Sequence, residues 1–420
     1  MSRTVLMTGG TGMIGSRLGL ELLERGDKVI FPIRSARTRL ESKIRVYNSA
    51  FNIKDYEAQV IEGKDIILPN FCFDKTELQS LKKEQIDVLY ATAGAIDFDP
   101  EKAELVKRTN VDGFYNTLEL AEVLDIPLVV VFSTAYVGGK FHGKFLETDL
   151  DRDQCWNNTY EESKFRGEVE AHEWAERTGR KIIIVRPAIV IGAPETISFA
   201  GYYYVFKSLW IVGNHARQQL AQDSPKYFGT GIRVLHNSDL LSLPITMLCR
   251  KESTANLVPV DWLCKTVLAI SELAISEKED VVGKTFNLTH PNPVPMHWLI
   301  ETSAKLVGVT NLSLEEPDQA ATREDIQRLL YGNGLLHRLQ KQFDTAIREY
   351  VPYMCTRLTF DNRNVRNVLG DDYEEPPEID EVFLAERLDY AKKLHFKEQG
   401  GLSSSKKMLT KSHPLLNKAY

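Results

Sequence analysis

Residues 4–18 read TVLMTGGTGMIGSRL. Thr4 to Met7 is a short apolar run of strand character, broken by Gly9, Gly12 and Gly15 in a Gly-x-x-Gly-x-x-Gly spacing. Leu18, Leu20, Leu22 and Leu23 then give the apolar rhythm of a helix. Glycines let a backbone turn sharply and lie close to a pyrophosphate, and a helix N-terminus offers N–H donors with the positive end of its dipole. Strand, tight turn and helix at this spacing predict a dinucleotide cradle made of Thr8, Gly9, Thr11, Gly12, Met13, Ile14 and Gly15.

Working outward, Lys28–Ile33 reads as a second strand ending at Arg34. An acidic residue about 20 positions beyond the glycines would hold the ribose 2′-hydroxyl of NAD. No carboxylate occurs between Val29 and Leu40, and the segment offers Arg34, Arg37 and Arg39 instead. A guanidinium fork suits a 2′-phosphate, so the expected cofactor is NADPH. Tyr56–Ile61 is the expected third strand, with Asp65 and Ile66 after it. Asp87–Tyr90 is the fourth, running into Ala93 and Gly94, small residues that let a ligand approach the backbone. One long helical stretch is expected over Glu101–Leu124, carrying Asn110, before a fifth strand at Pro127–Phe132 and a sixth at Lys181–Val185. Apolar strands alternating with helices predict an α/β fold, a Rossmann-type doubly wound parallel sheet.

The chain has 420 residues and a formal charge of −6, with no basic excess to mark a nucleic-acid footprint. Its five cysteines are scattered without a Cys-x-x-Cys pair, as in a reducing compartment, and no metal site is expected. A glycine turn stands where a signal peptide needs its apolar core, and no apolar run reaches about 18 residues. A cytoplasmic protein with no membrane span is expected.

The fifth strand ends in Ser133-Thr134-Ala135-Tyr136, and Tyr160-Glu161-Glu162-Ser163-Lys164 follows further on. Residues i and i+4 share a helix face, so the phenol and the ammonium converge. In the glycine turn, the hydroxyls at the strand end and the Tyr-x-x-x-Lys pair, the chain resembles the extended short-chain dehydrogenases/reductases. The resemblance implies a catalytic trio of Thr134, Tyr160 and Lys164, Ser133 being the alternative to Thr134, with Tyr160 and Lys164 also touching the cofactor. It further implies Asn110, and Pro187, Ala188 and Ile189 after Arg186, beside the cofactor. A phenol of ordinary pKa ~10 is a weak acid–base at neutral pH, and a nearby lysine is expected to lower it. Asp261, in Val258-Pro259-Val260-Asp261, is expected to cap a helix.

Within that family, Phe132-Ser133-Thr134-Ala135-Tyr136-Val137-Gly138-Gly139, Asn110-Val111-Asp112-Gly113, Ile96-Asp97-Phe98, Arg34-Ser35 and Thr359–Asn364 are similar to fatty acyl-CoA reductases and carrier-protein thioester reductase domains. Where that branch often has a His before the alanines after the fourth strand, this chain has Tyr90. The resemblance implies NADPH-dependent reduction of an acyl thioester, on CoA or an acyl carrier protein, to aldehyde or alcohol. The alternative is an extended-family enzyme acting on a secondary alcohol, a ketone or a nucleotide sugar. Cys155 has no activating base beside it, so no acyl-enzyme is expected.

The expected organisation is an NADP-binding domain over residues 1–270, with 193–255 contributing to a substrate lobe. A smaller, mostly helical substrate-binding region over 271–398 and a flexible tail over 399–420 complete it. The aromatic stretch 199–213 is a candidate acyl wall that could also lie against a membrane surface, and His215–Asp239 is a candidate lid.

Overall fold

The computed structural model describes residues 2–35, 57–192, 201–222, 230–236, 238–276, 281–317 and 334–396, with positions 37, 38, 40, 41 and 44 besides. Arg39, Tyr56 and the 399–420 tail lie outside the described residues, as does 318–333 within the expected substrate-binding region.

The glycine stretch forms strand β1 (Thr4–Thr8) and helix α1 (Met13–Glu24). Then follow β2 (Lys28–Ile33), β3 (Glu57–Glu62), α2 (Lys75–Lys83), β4 (Val88–Ala91), α3 (Ala103–Lys107), α4 (Gly113–Val123) and β5 (Leu128–Phe132). After these come β6 (Gly143–Phe145), α5 (Thr159–Thr178), β7 (Lys181–Pro187), α6 (Tyr202–Gln222), α7 (Val260–Ile275) and β8 (Thr285–Leu288).

Seven strands form one sheet in the order β8-β7-β5-β4-β1-β2-β3, every neighbouring pair parallel. Parallel strands need crossover helices, which cover both faces and make the strands apolar throughout. Alternation divides β1 between the two faces. Val5 and Met7 join a core with Leu18 and Leu22 of α1 and Leu263 and Val267 of α7. Leu6 joins the opposite core with Leu118 of α4 and Trp174 of α5. The strand order reverses between β1 and β4, so the crevice at their C-terminal ends is the place where such sheets bind ligands.

A third core lies beyond the sheet. It joins α6 to α8 (Met296–Leu306), α9 (Leu335–Ile347) and α12 (Glu381–Lys393) through Tyr203, Leu209, Leu299, Phe343 and Leu384. Between α9 and α12 run α10 (Val351–Met354), β9 (Leu358–Phe360) and α11 (Arg363–Leu369). β9 returns to pair in parallel with β6, Leu358 opposite Gly143.

The helical stretch expected over Glu101–Leu124 runs from Ala103 to Val123, with a π turn at Arg108–Asp112 inside it. Two expectations are corrected. Asp261 does not cap α7. The helix begins a residue earlier, after Pro259, which puts Asp261 in its first turn with Oδ1 buried and unpartnered among the described residues. The lid expected at His215–Asp239 is helical at its start, since α6 runs to Gln222 and buries Ala216. Residues 223–229 lie outside the described residues.

Candidate active site

The crevice is built on glycine. Gly9 has φ +72°, and a Cβ there would stand 2.7 Å from the Ala93 backbone nitrogen. A Cβ on Gly15 would collide with the Gly9 carbonyl. The Gly12 N–H donates to that same carbonyl at 2.9 Å and closes the turn. Thr92 Oγ1 donates to the Thr8 carbonyl at 2.6 Å, and the Ala93 N–H to Thr8 Oγ1 at 3.3 Å. The loops after β1 and β4 therefore form one tight surface. No side chain caps α1 at Gly12, so its first turn presents backbone amides, as an anion site requires. This cradle, closed to any Cβ, fits a dinucleotide diphosphate held by residues 8–15.

At the end of β2, Arg34 is exposed, while Arg37 is already engaged. Its guanidinium donates to the Val60 carbonyl at 2.7 Å and to Glu62 at 3.3 Å. A 2′-phosphate would compete with Glu62 for Arg37. After β3, Asp65 accepts from the Ile67 N–H, and the Ile66 carbonyl accepts from Asn116 of α4 at 2.9 Å. Asn110 sits in the π turn, a distortion that often marks functional sites. Its Oδ1 accepts from the Ala95 N–H at 2.7 Å, and its Nδ2 donates to the Ala95 carbonyl and to Ser163 Oγ. One amide thus ties the loop after β4 to the face of α5.

The three residues expected to do chemistry meet here. Asn158 caps α5, its side chain accepting from the Glu161 N–H, so Tyr160 lies in the first turn and Lys164 one turn on. Lys164 Nζ donates to the Phe132 carbonyl at 2.8 Å, against the Gly94 backbone. The Thr134 hydroxyl faces the Tyr160 phenol and accepts from the Tyr136 N–H at 3.3 Å. Ser133 Oγ has no partner among the described residues. The expected lowering of the phenol does not appear. Burial pushes Tyr160 up to about 12, opposed by Thr134 and reinforced by the charge of Glu161. Burial likewise pushes Lys164 down to about 8. Both groups share one desolvated crevice, and desolvation favours their neutral forms.

The family model described as Male sterility protein matches residues 7–267, more than half of the chain. The chain is an extended short-chain dehydrogenase/reductase of that family. Its fold resembles the terminal R domain of the myxalamid PKS-NRPS pathway, with TM-score 0.68, 19% identity and coverage of 94% of this chain and 92% of that one. It also resembles a thiolation-reductase di-domain from an archaeal non-ribosomal peptide synthetase, with TM-score 0.64, 18% identity and coverage of 95% and 77%. The UDP-glucuronic acid 4-epimerase of Bacillus cereus shares the fold at TM-score 0.60 and 17% identity, over 93% and 99%. Among curated proteins, N-benzoylphenylalaninol synthetase apmA of Penicillium brevicompactum is 22% identical over 46% of this chain. The dTDP-4-dehydro-6-deoxy-D-allose reductase of a Streptomyces species is 25% identical over 45%. The matches span 9% and 56% of those two proteins' own lengths.

The crevice has a second wall that no sequence pattern marks. Phe98 packs on Tyr160 with ring centroids 5.8 Å apart, and Tyr350 and Tyr353 pack on Phe98 at 5.4 and 5.2 Å. Tyr136 meets Tyr353 at 5.1 Å, and Tyr204 stacks on Tyr350 at 5.2 Å. Tyr204 comes from the aromatic stretch 199–213, whose Tyr202, Tyr203 and Phe206 are instead core residues. No local pattern marks Tyr350 or Tyr353; only the return of the chain from α9 to β9 brings them here.

Pro187 ends β7 beside the crevice, Ala188 N donating to the Leu288 carbonyl and Ile189 N to that of Asn256. Arg186 before it is fully buried in an ion pair with Glu168 at 2.6 Å. The Thr359–Asn364 stretch is stitched to β8. Asn287 Nδ2 donates to the Asp361 carbonyl at 2.7 Å and Asn364 Nδ2 to that of Thr285 at 2.8 Å. Glu147, just after β6, accepts the N–H groups of Asn287 and Asn364, one on each oxygen. Among the described residues no helix is long and apolar enough to cross a membrane.

Proposed function

We propose that this oxidoreductase uses NADPH to reduce an acyl thioester, carried on CoA or on an acyl carrier protein, to the aldehyde or the alcohol. The observation that carries the reading is the grouping of Thr134, Tyr160 and Lys164 at the mouth of the glycine cradle, in a chain of the Male sterility protein family. Two reductase domains of thioester-assembly pathways share its fold over more than nine-tenths of this chain, which supports the same choice. A bound nicotinamide dinucleotide supplies the hydride. The Thr134 hydroxyl and the Tyr160 phenol then hold the carbonyl oxygen, where negative charge develops as the carbon is reduced. Tyr160 gives that oxygen its proton, and Lys164 offers an ammonium within the same crevice. One hydride and one proton taken up, and the thiol released, leave an aldehyde; a second hydride and proton give the alcohol. Residues 8–15 hold the diphosphate, Asp65, Ile66, Ala93, Gly94 and Asn110 the nucleoside side, and Pro187–Ile189 the nicotinamide side. Arg34 meets the 2′-phosphate, and the rings around Phe98 face the acyl group.

The test is NADPH consumption by the purified chain against acyl-CoAs and acyl-carrier proteins, with thiol and organic products quantified. Thiol released together with aldehyde or alcohol is the expected result, and the NADPH-to-thiol ratio separates one reduction from two. Oxidation or reduction of ketones or nucleotide sugars with no thiol from any thioester would overturn the reading.

A further inference from the structure

We propose that Tyr353 is a positioning residue, through which the C-terminal lobe aligns the catalytic turn of α5. This rests on Tyr160 being the proton donor of the reaction proposed above. Glu161, the residue after Tyr160, is fully buried, and its carboxylate is met from two sides. Asn157 donates to it from the backbone at 2.8 Å and from its side-chain amide at 3.1 Å. The Tyr353 hydroxyl faces it from the other side and favours its charged form. That same hydroxyl accepts from Asn158 Nδ2 at 2.9 Å, and Asn158 Oδ1 accepts from the Glu161 N–H at 3.0 Å. Asn158 thus ties the Tyr353 hydroxyl to the Glu161 amide, and the hydroxyl also faces the Glu161 carboxylate. Tyr160 lies inside that turn.

The other end of Tyr353 reaches the same catalytic group by packing. Its ring stacks on Phe98, and Phe98 packs on the Tyr160 ring. Tyr353 is therefore joined to Tyr160 both through the helix backbone and through a neighbouring ring. A residue nearly two hundred positions away in sequence limits where the phenol points. A buried carboxylate one residue from a proton donor needs this holding. Unpaired, it would draw its own donors out of the first turn, because a buried charge without partners is costly.

The experiment compares Tyr353→Phe, Glu161→Gln and the double variant of the full chain, each first shown to keep wild-type NADPH affinity and thermal midpoint. Phenylalanine keeps the ring on Phe98 and removes only the hydroxyl. Tyr353→Phe is expected to lower kcat about 10-fold with KM for the thioester changed less than about 2-fold, the size of one lost hydrogen bond to a charge. In the Glu161→Gln background the same change is expected to cost less than about 2-fold, since the two residues act as one unit. An unchanged kcat, a rise in KM alone, or additive losses would each overturn the proposal. The rise in KM would make Tyr353 a substrate wall instead. Amide exchange gives a reading independent of substrate. The Glu161 N–H is expected to exchange at least about 10-fold faster in Tyr353→Phe, through local opening of the first turn. Unchanged exchange would overturn the clamp even where no thioester is turned over, whereas faster exchange with no thioester turnover would uphold the clamp and sink the thioester reading alone.

Discussion

The two sides of the crevice are built in opposite ways. On the cofactor side, β1, β4 and β5 each end in a loop that delivers its functional residues within a few positions: Gly9 after β1, Ala93 after β4, Thr134 after β5. On the side facing Tyr160 the wall is made of rings far apart in sequence, as Phe98 meets Tyr353. A cofactor site made from local strand-turn-helix units is separable from the rest of the chain. An acceptor site made from distant pairings stands or falls with the whole lobe.

That contrast is open to attack. The largest effect is expected from Tyr160→Phe, which removes the proton donor and lowers turnover by ~10³-fold, within the range for general acid catalysis. NADPH affinity, measured by calorimetry, should change little; an equal loss of binding would mean the two sides are not separable. Next is Glu147→Ala, which leaves the Asn287 and Asn364 N–H groups without their acceptor. The expected loss is about 3 kcal/mol of stability in denaturant unfolding, from two buried donors left unpaired. Its pH dependence has a definite sign. Burial pushes Glu147 up to about 7 from 4.5, so the folded chain keeps a proton that the unfolded chain releases. The stability that Glu147 contributes then falls as pH rises from 4.5 to 7, and the variant should lose more at pH 5 than at pH 8.

A smaller effect is expected at Arg34→Ala: a rise in NADPH Kd of ~10-fold with NADH almost unaffected, the loss of one charge-assisted contact. Equal changes for both would remove Arg34 from the 2′-phosphate. The smallest is a pH limb. Burial lowers Lys164 to about 8 from 10.5, so in the free enzyme it is charged below pH 8 and neutral above. The profile of kcat/KM, which reports the free enzyme, should fall on the alkaline side near pH 8. Lys164→Arg, always charged, should lack that limb.

The same contrast explains what could be read from the chain. The sheet was legible because buried parallel strands such as Leu128–Phe132 are apolar runs, and the glycine turn has a spacing with a mechanical reason. Tyr160 and Lys164 were legible as an i, i+4 pair. The aromatic wall was not, since Tyr350 and Tyr353 carry no periodicity that points toward Phe98. The state of Tyr160 was misread for a related reason: a neighbouring lysine is visible in sequence, but the burial that outweighs it is created by residues from elsewhere. Asn110 was placed in the site, yet its bonds to Ala95 and Ser163 are ones that no local pattern announces.

The parallel pairing of β9 with β6 bears on the order in which the enzyme becomes complete during synthesis. The cradle, Thr134, Tyr160 and Lys164 leave the ribosome early, while Tyr353 and the strand that seats it follow by roughly 10–40 s at ~5–20 residues per second. Once Pro187–Ile189 and Asn287 have followed, the nascent chain has every group proposed to hold the dinucleotide, but Glu161 lacks the facing Tyr353 hydroxyl and Glu147 lacks the Asn364 donor. Binding competence comes first, and alignment for transfer arrives with Tyr353 and β9. A chain cut short before them would sequester cofactor without spending it.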